Sequence, residues 1–74
     1  MNSKKNILLQ FGEKVRKLRK EKNLSQEELA FKADLHRTYI GMIERAEKNI
    51  TLLNVEKLSI ALEIETYKLL IFNE

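Results

Sequence analysis

The segment LHRTYIGMIER, residues 35–45, gathers the side chains of this chain best suited to recognising another molecule. Wound at about 100° per residue, it puts Ile40 and Ile43 on one side. Arg37, Thr38, Gly41, Met42 and Arg45 spread over the other side, with Tyr39 on the flank. The outward row has a guanidinium at each end, a hydroxyl, a thioether and a position with no side chain. Such a row can read base edges. An α-helix fits the major groove of duplex DNA, where an arginine holds both acceptors of a guanine, a threonine meets a base edge or a thymine methyl, and a glycine removes bulk. An ordinary solvated helix face is the plain alternative, and a short match alone leaves both open.

Other chemistries are poorly supplied. There is one histidine, His36, and no cysteine, which removes thiolate nucleophiles, disulfides and sulfur-ligated zinc together. The chain has no glycine-rich phosphate loop and no metal-ligand cluster, and its carboxylates fall on solvated faces without a nucleophile beside a base. The expectation is a protein that is not an enzyme and needs no cofactor and no metal. At 74 residues, read as one domain over 1–74, a modest core leaves little room for a deep cleft. The lack of cysteine suits a reducing cytoplasm. No apolar run approaches the roughly 20 residues of a membrane span, and MNSKKNILLQFG is too short in apolar residues for a signal peptide. A soluble cytoplasmic chain without a membrane partner is expected. Residues 1–48 hold 12 Lys or Arg against 7 acids, whereas residues 49–74 hold 2 against 4. That asymmetry points to an anionic partner for the first part of the chain.

With no proline, two glycines and many Leu, Lys and Glu, the elements that position this row should be all helical. Ile7, Leu8, Phe11, Val15 and Leu18 recur at helical spacing and predict a first helix of about four turns, ended by Glu21-Lys22-Asn23. Ser25 and Glu28 form a capping-box pattern that starts a second helix over about 26–33, burying Leu29, Ala30 and Ala33. Asp34 tolerates a left-handed backbone, so the chain turns tightly and restarts as a third helix over about 37–45. A polar loop leads to a fourth helix carrying Leu52, Val55, Leu58, Ala61 and Leu62, with Thr51 or Asn54 near its start. A short fifth helix over about 66–72 follows in YKLLIFNE.

Taken together, SQEELAFKADLHRTYIGMIER resembles the helix-turn-helix of the phage repressor (Xre/Cro-type) family, with Gln26, Ala30, Tyr39, Ile40, Ile43, Glu44 and Arg45 at its characteristic places. The flanking FGEKVRKLRKEKNLS and TLLNVEKLSIALEI extend the likeness over about residues 11–70. Within the family, LHRTYIGMIERAEKNIT looks most like the controller proteins of restriction-modification systems. The resemblance implies an all-α, five-helix, phage-repressor-like domain that binds DNA. It also implies a homodimer that activates and then represses its own gene and that of the endonuclease. Ala46 and Glu63 stand where the family usually has a glycine at a helix end, Asp34 replaces its usual turn glycine, and His36 replaces a stronger cap.

Arg37 is the first candidate for direct base reading, followed by Thr38 and Tyr39, which the resemblance places at the groove, with Gly41 and Met42 on the same row. Gln26, at an exposed helix start, is a candidate phosphate contact through its side chain and nearby free amides. The resemblance adds Arg45, Lys48, Asn49 and Thr51 as clamps on the adjacent backbone; solubilising loop charges are the bland reading. It also pairs Arg19 with Glu44 in a buried ion pair, against the alternative of two surface charges.

Leu53 and Ile60 fall on a different face of the fourth helix from its core residues, and Tyr67 with Ile71 extends this apolar patch. A homodimer through these four residues would hold two reading helices about 34 Å apart and require a palindromic operator. A larger monomer core is the alternative. Activation requires RNA polymerase, and Glu27 is a candidate contact to its sigma subunit; an acid in a first helical turn also simply favours the helix dipole. A phage-type repressor or antitoxin of the same fold would share every DNA contact. A helical protein-interaction module that takes an acidic partner is the rival from another class.

Overall fold

Three of the four α-helices of this chain start where a side-chain oxygen holds a free amide, and all four stop at a left-handed turn of the backbone. The computed structural model describes residues 6–72; the ends of the expected 1–74 domain, and the last two residues of YKLLIFNE, lie outside them. Four α-helices run in order: α1 (Ile7–Glu21), α2 (Gln26–Ala33), α3 (Arg37–Glu44) and α4 (Leu52–Leu62), followed by a 3₁₀ helix, Thr66–Leu70. No strand occurs among the described residues. Asn6 caps α1 by accepting from the Leu9 amide at 3.0 Å, and Thr51 caps α4 by accepting from the Asn54 amide at 3.1 Å. Ser25 and Glu28 close the expected capping box on α2, the hydroxyl taking the Glu28 amide at 3.0 Å and the carboxylate the Ser25 amide at 2.8 Å. These two contacts hold the Glu28 carboxyl below the usual carboxylate range. His36 gives α3 no side-chain cap.

Every α-helix ends on the same closure. Asn23, Asp34, Ala46 and Glu63 have φ between 57° and 62°, and none is glycine. In each case the amide two residues past the last full turn reaches back across the end. Leu24 donates to Arg19, Leu35 to Ala30, Glu47 to Met42 and Ile64 to Ser59, at 2.8–3.1 Å. The backbone therefore does not relax where the family glycine is missing; it keeps the left-handed turn, at about 1 kcal/mol for a residue such as Ala46. At three ends a half-buried Leu24, Leu35 or Ile64 packs against the core and offsets that cost. The fourth, after α3, has Glu47 instead.

Phe11, Val15, Leu29, Ala30, Ala33, Ile40, Ile43, Val55, Leu58, Ala61, Leu62 and Leu69 form the core. Both glycines serve close approach rather than turns. A methyl on Gly12 would sit 2.5 Å from the Ile43 carbonyl oxygen and 2.9 Å from that of Glu44, so α1 crosses the end of α3 backbone to backbone.

The third helix closes at Glu44, with Arg45 as its C-cap (φ −92°, ψ 4°), within a residue of its expected end. The expected fifth helix needs correction. The fifth α-helix is a single 3₁₀ segment held by Lys68 donating to Glu65 and Ile71 to Lys68. Five residues with no side-chain cap and one fully buried anchor, Leu69, cannot offset the cost of nucleating an α-helix, and the tighter helix results. Ile71 has left the helix for an extended conformation, so it is not one turn from Tyr67 on a shared helical face. No helix among the described residues is long and apolar enough to cross a membrane.

Candidate nucleic-acid interface

The short α2–α3 turn presents the first turn of α3 to the outside. Ile40 is fully buried and Ile43 nearly so, and they lock the inner face of α3 to the core. Arg37 and Thr38, at the opposite face, are exposed, and Arg37 makes no ion pair among the described residues. Met42 is half-buried. Beside this row lies a shallow open depression bounded by Glu27, Phe31, Asp34, His36 and Arg37.

The far end of α3 is braced by a buried network. Arg19 donates through Nε to Glu44 Oε2 at 2.7 Å and through Nη2 to Oε1 at 3.0 Å, a two-pronged ion pair. Its remaining prong, Nη1, donates to the Leu24 carbonyl at 2.8 Å. The bond to Glu44 raises the Arg19 pKa above its usual value. Gln26 enters the same network, its Nε2 donating to Glu44 Oε1 at 3.0 Å. The α2 start, the α3 end and α1 thus share one carboxylate, and the candidate phosphate residue is oriented by it.

Gly41 departs from its expected place on the outward row: it is buried. A methyl there would lie 3.1 Å from Arg45 Nη1 and 3.6 Å from Gln26 Oε1, so those two side chains fold over it. An isolated helical wheel cannot show this, because one cover comes from another helix and the other from one turn along. Both covers are ends of flexible side chains. Tyr39 is half-buried against the core, and its hydroxyl oxygen accepts from Asn54 Nδ2 at 3.0 Å.

Beyond α3, Lys48 and Asn49 are exposed, while Thr51 is engaged as the α4 cap. Arg45 is exposed but occupied: its Nε donates to Glu47 Oε2 at 3.0 Å. That bond raises the arginine pKa and lowers that of the glutamate. On the remote face Leu53, Ile60 and Tyr67 are 62, 70 and 61% exposed, whereas Ile71 is half-buried.

Sequence reasoning missed four residues that shape this surface. Gly12 carried a signal, since a glycine inside a helix costs about 1 kcal/mol and implies a packing reason. Glu47 and the exposed Phe31 carried none. Asn54 was noticed only as a helix-start residue, and its reach to Tyr39 depends on the angle between α3 and α4. Among the described residues, no three of His, Cys, Asp and Glu cluster as metal ligands.

Comparison with known proteins places this geometry. The helix-turn-helix family, HTH_3, matches residues 15–69. Control protein C.BamHI of Bacillus amyloliquefaciens is 56% identical over 68 residues, covering 90% of this chain and 84% of that protein. The crystal structure of the restriction-modification controller protein C.AhdI from Aeromonas hydrophila matches with a TM-score of 0.83 at 48% identity, over 84% of this chain and 94% of that one. SinR, the master regulator for biofilm formation, solved in complex with DNA, matches with a TM-score of 0.78 at 35% identity, over 82% of this chain and 98% of its own. The chain with this braced, outward-facing third helix is thus a member of the Xre/Cro-type helix-turn-helix family.

Proposed function

We propose that this protein is a restriction-modification controller: a sequence-specific transcriptional regulator that binds a palindromic operator as a homodimer and is not an enzyme. The observation that carries the reading is the exposed, unpaired Arg37 beside Thr38 at the start of a helix whose opposite face is locked by Ile40, Ile43 and the Arg19–Glu44–Gln26 network. A reading helix must hold its base-facing groups rigidly, and this one is held along its inner face and at its C-terminal end. Arg37 is assigned to a guanine edge, with Thr38, Tyr39 and Met42 near it. Gly41 contributes space once Arg45 swings from it to a phosphate, and Gln26, held on Glu44, offers a phosphate the free backbone amides at the α2 start. Lys48, Asn49 and the Thr51 hydroxyl line the adjacent backbone.

The exposed Leu53, Ile60 and Tyr67 form the dimer face, with Ile71 at its margin. Their exposure in the single chain supports this reading, as does the controller family's use of small single-domain regulators. Occupancy then follows the dimer population and rises steeply with dose, which is the physical basis for activation at low and repression at high concentration. Glu27, exposed beside Phe31, is the assigned contact to the sigma subunit of RNA polymerase. An E27Q variant that keeps full activation removes that contact.

Sedimentation equilibrium of wild type and I60E, with duplex binding followed across a salt series, tests the proposal. Wild type is expected to dimerise and to lose affinity steeply with salt as counterions are released. A monomer well above the binding midpoint, or salt-independent binding, contradicts it.

A further inference from the structure

Asn54 lies in the first turn of α4, yet its side chain engages α3. Thr51 holds its backbone amide at 3.1 Å, and its Nδ2 donates to the Tyr39 hydroxyl oxygen at 3.0 Å. The amide NH₂ only donates, so the phenol oxygen accepts. A phenol has a single proton, and with Asn54 on its lone pair that proton points elsewhere. The Tyr39 ring is half-buried, its bond to Asn54 is only partly buried, and Arg37 and Thr38 precede it on the exposed first turn of α3.

We infer that Asn54 is a positioning residue for DNA binding: it fixes the Tyr39 hydroxyl as a hydrogen-bond donor toward an acceptor on the duplex. The inference rests on the reading of α3 as the DNA-reading helix and adds a part to it. Without Asn54 the hydroxyl rotates freely and donates or accepts indifferently; with it, only an acceptor satisfies the site. A phosphate oxygen and a base-edge acceptor share that chemistry. Asn54 is also next to Leu53, so the same turn of α4 carries the proposed dimer face and the orienting amide.

The test is a double-mutant cycle of Y39F, N54A and Y39F/N54A. The probes are the consensus duplex that wild type selects from a random pool and a scrambled duplex of equal length; thermal unfolding is measured alongside. Y39F is expected to weaken binding about tenfold and N54A about threefold, the worth of one hydrogen bond to DNA and of its partial loss. In the Y39F background, N54A should then cost less than twofold. N54D keeps the side-chain length but only accepts; it turns the phenolic proton inward and should bind at least as weakly as Y39F. Equal losses on both duplexes assign the acceptor to phosphate, and losses confined to the consensus assign it to a base edge. An N54A loss as large without the hydroxyl as with it overturns the inference, as does N54D binding as tightly as wild type. Failure of the parent reading looks different: R37A then leaves consensus binding unchanged.

Discussion

Replacing Glu44 with glutamine keeps the shape of the buried network and removes its negative charge. In the wild type that carboxylate receives Arg19 Nε at 2.7 Å, Arg19 Nη2 at 3.0 Å and Gln26 Nε2 at 3.0 Å. After E44Q, a guanidinium whose side chain is only 10% exposed has no counter-charge, and one of its donors faces an NH₂ group. Breaking a buried pair from one side costs about 3 to 5 kcal/mol. A domain of this size has about 5 kcal/mol in all. With a urea dependence of about 1 kcal/mol per molar, the midpoint followed by far-UV circular dichroism should fall by about 3 M or more. The matching control is R19L/E44L, in which no charge is left behind. It forfeits the bonds from Arg19 to the Leu24 carbonyl and from Gln26 to Glu44, worth about 1 kcal/mol each, and gains from avoided desolvation, so it should lie within about 2 kcal/mol of the wild type. A midpoint shift below about 0.5 M for E44Q, or a double variant less stable than the single one, would falsify the assignment of this pair as a buried brace.

Gly12→Ala gains about 1 kcal/mol of helix propensity but drives a methyl into the backbone carbonyls of Ile43 and Glu44. A net loss of about 2 kcal/mol is expected, and an unchanged melting temperature would show that α1 and α3 do not meet there. The Glu28 carboxyl is lowered in the folded state by the Ser25 amide and hydroxyl. Its contribution is therefore full above the unfolded pKa of about 4.3 and disappears as pH falls through the lower folded value. E28Q should remove that part of the acid destabilisation, and an acid titration of stability identical to wild type would count against the capping box. Glu47→Gln releases Arg45 from its ion pair, so duplex affinity should rise about two- to fivefold and the log–log salt slope steepen by up to about 0.9; weaker binding in the salt series would contradict this.

Much of the fold was legible because its signals are local. The Ser25–Glu28 spacing and the apolar stripes of α1, α2 and α4 depend on residues three or four apart, and the helices stand where those patterns put them. The last helix was misread for a related reason: a few apolar residues before a chain end have the same spacing whether the backbone is α or 3₁₀, and only the lack of a cap and the shortness of the segment distinguish them. The left-handed ends at Ala46 and Glu63 were legible as a conflict, through the missing glycines, but not the resolution, which lies in back-bonds across the helix end and, for Glu63, in Ile64 packing beneath it. At the site, burial of Ile40 and Ile43 and exposure of Arg37 and Thr38 follow from the helical period. Burial of Gly41 does not, since Gln26 arrives from α2. The Arg19–Glu44 contact, 25 residues apart, was reachable only through family resemblance, and the Tyr39–Asn54 contact was not reachable from this sequence alone.

Selection of bound duplexes from a random pool, with wild type and R37A in parallel, bears most directly on whether α3 reads bases. The wild type should return a symmetric consensus with centres one helical turn apart, and R37A should lose preference at one base pair per half-site, a discrimination of about 1 to 3 kcal/mol. An R37A consensus identical to that of the wild type, or no consensus at all from the wild type, would contradict it.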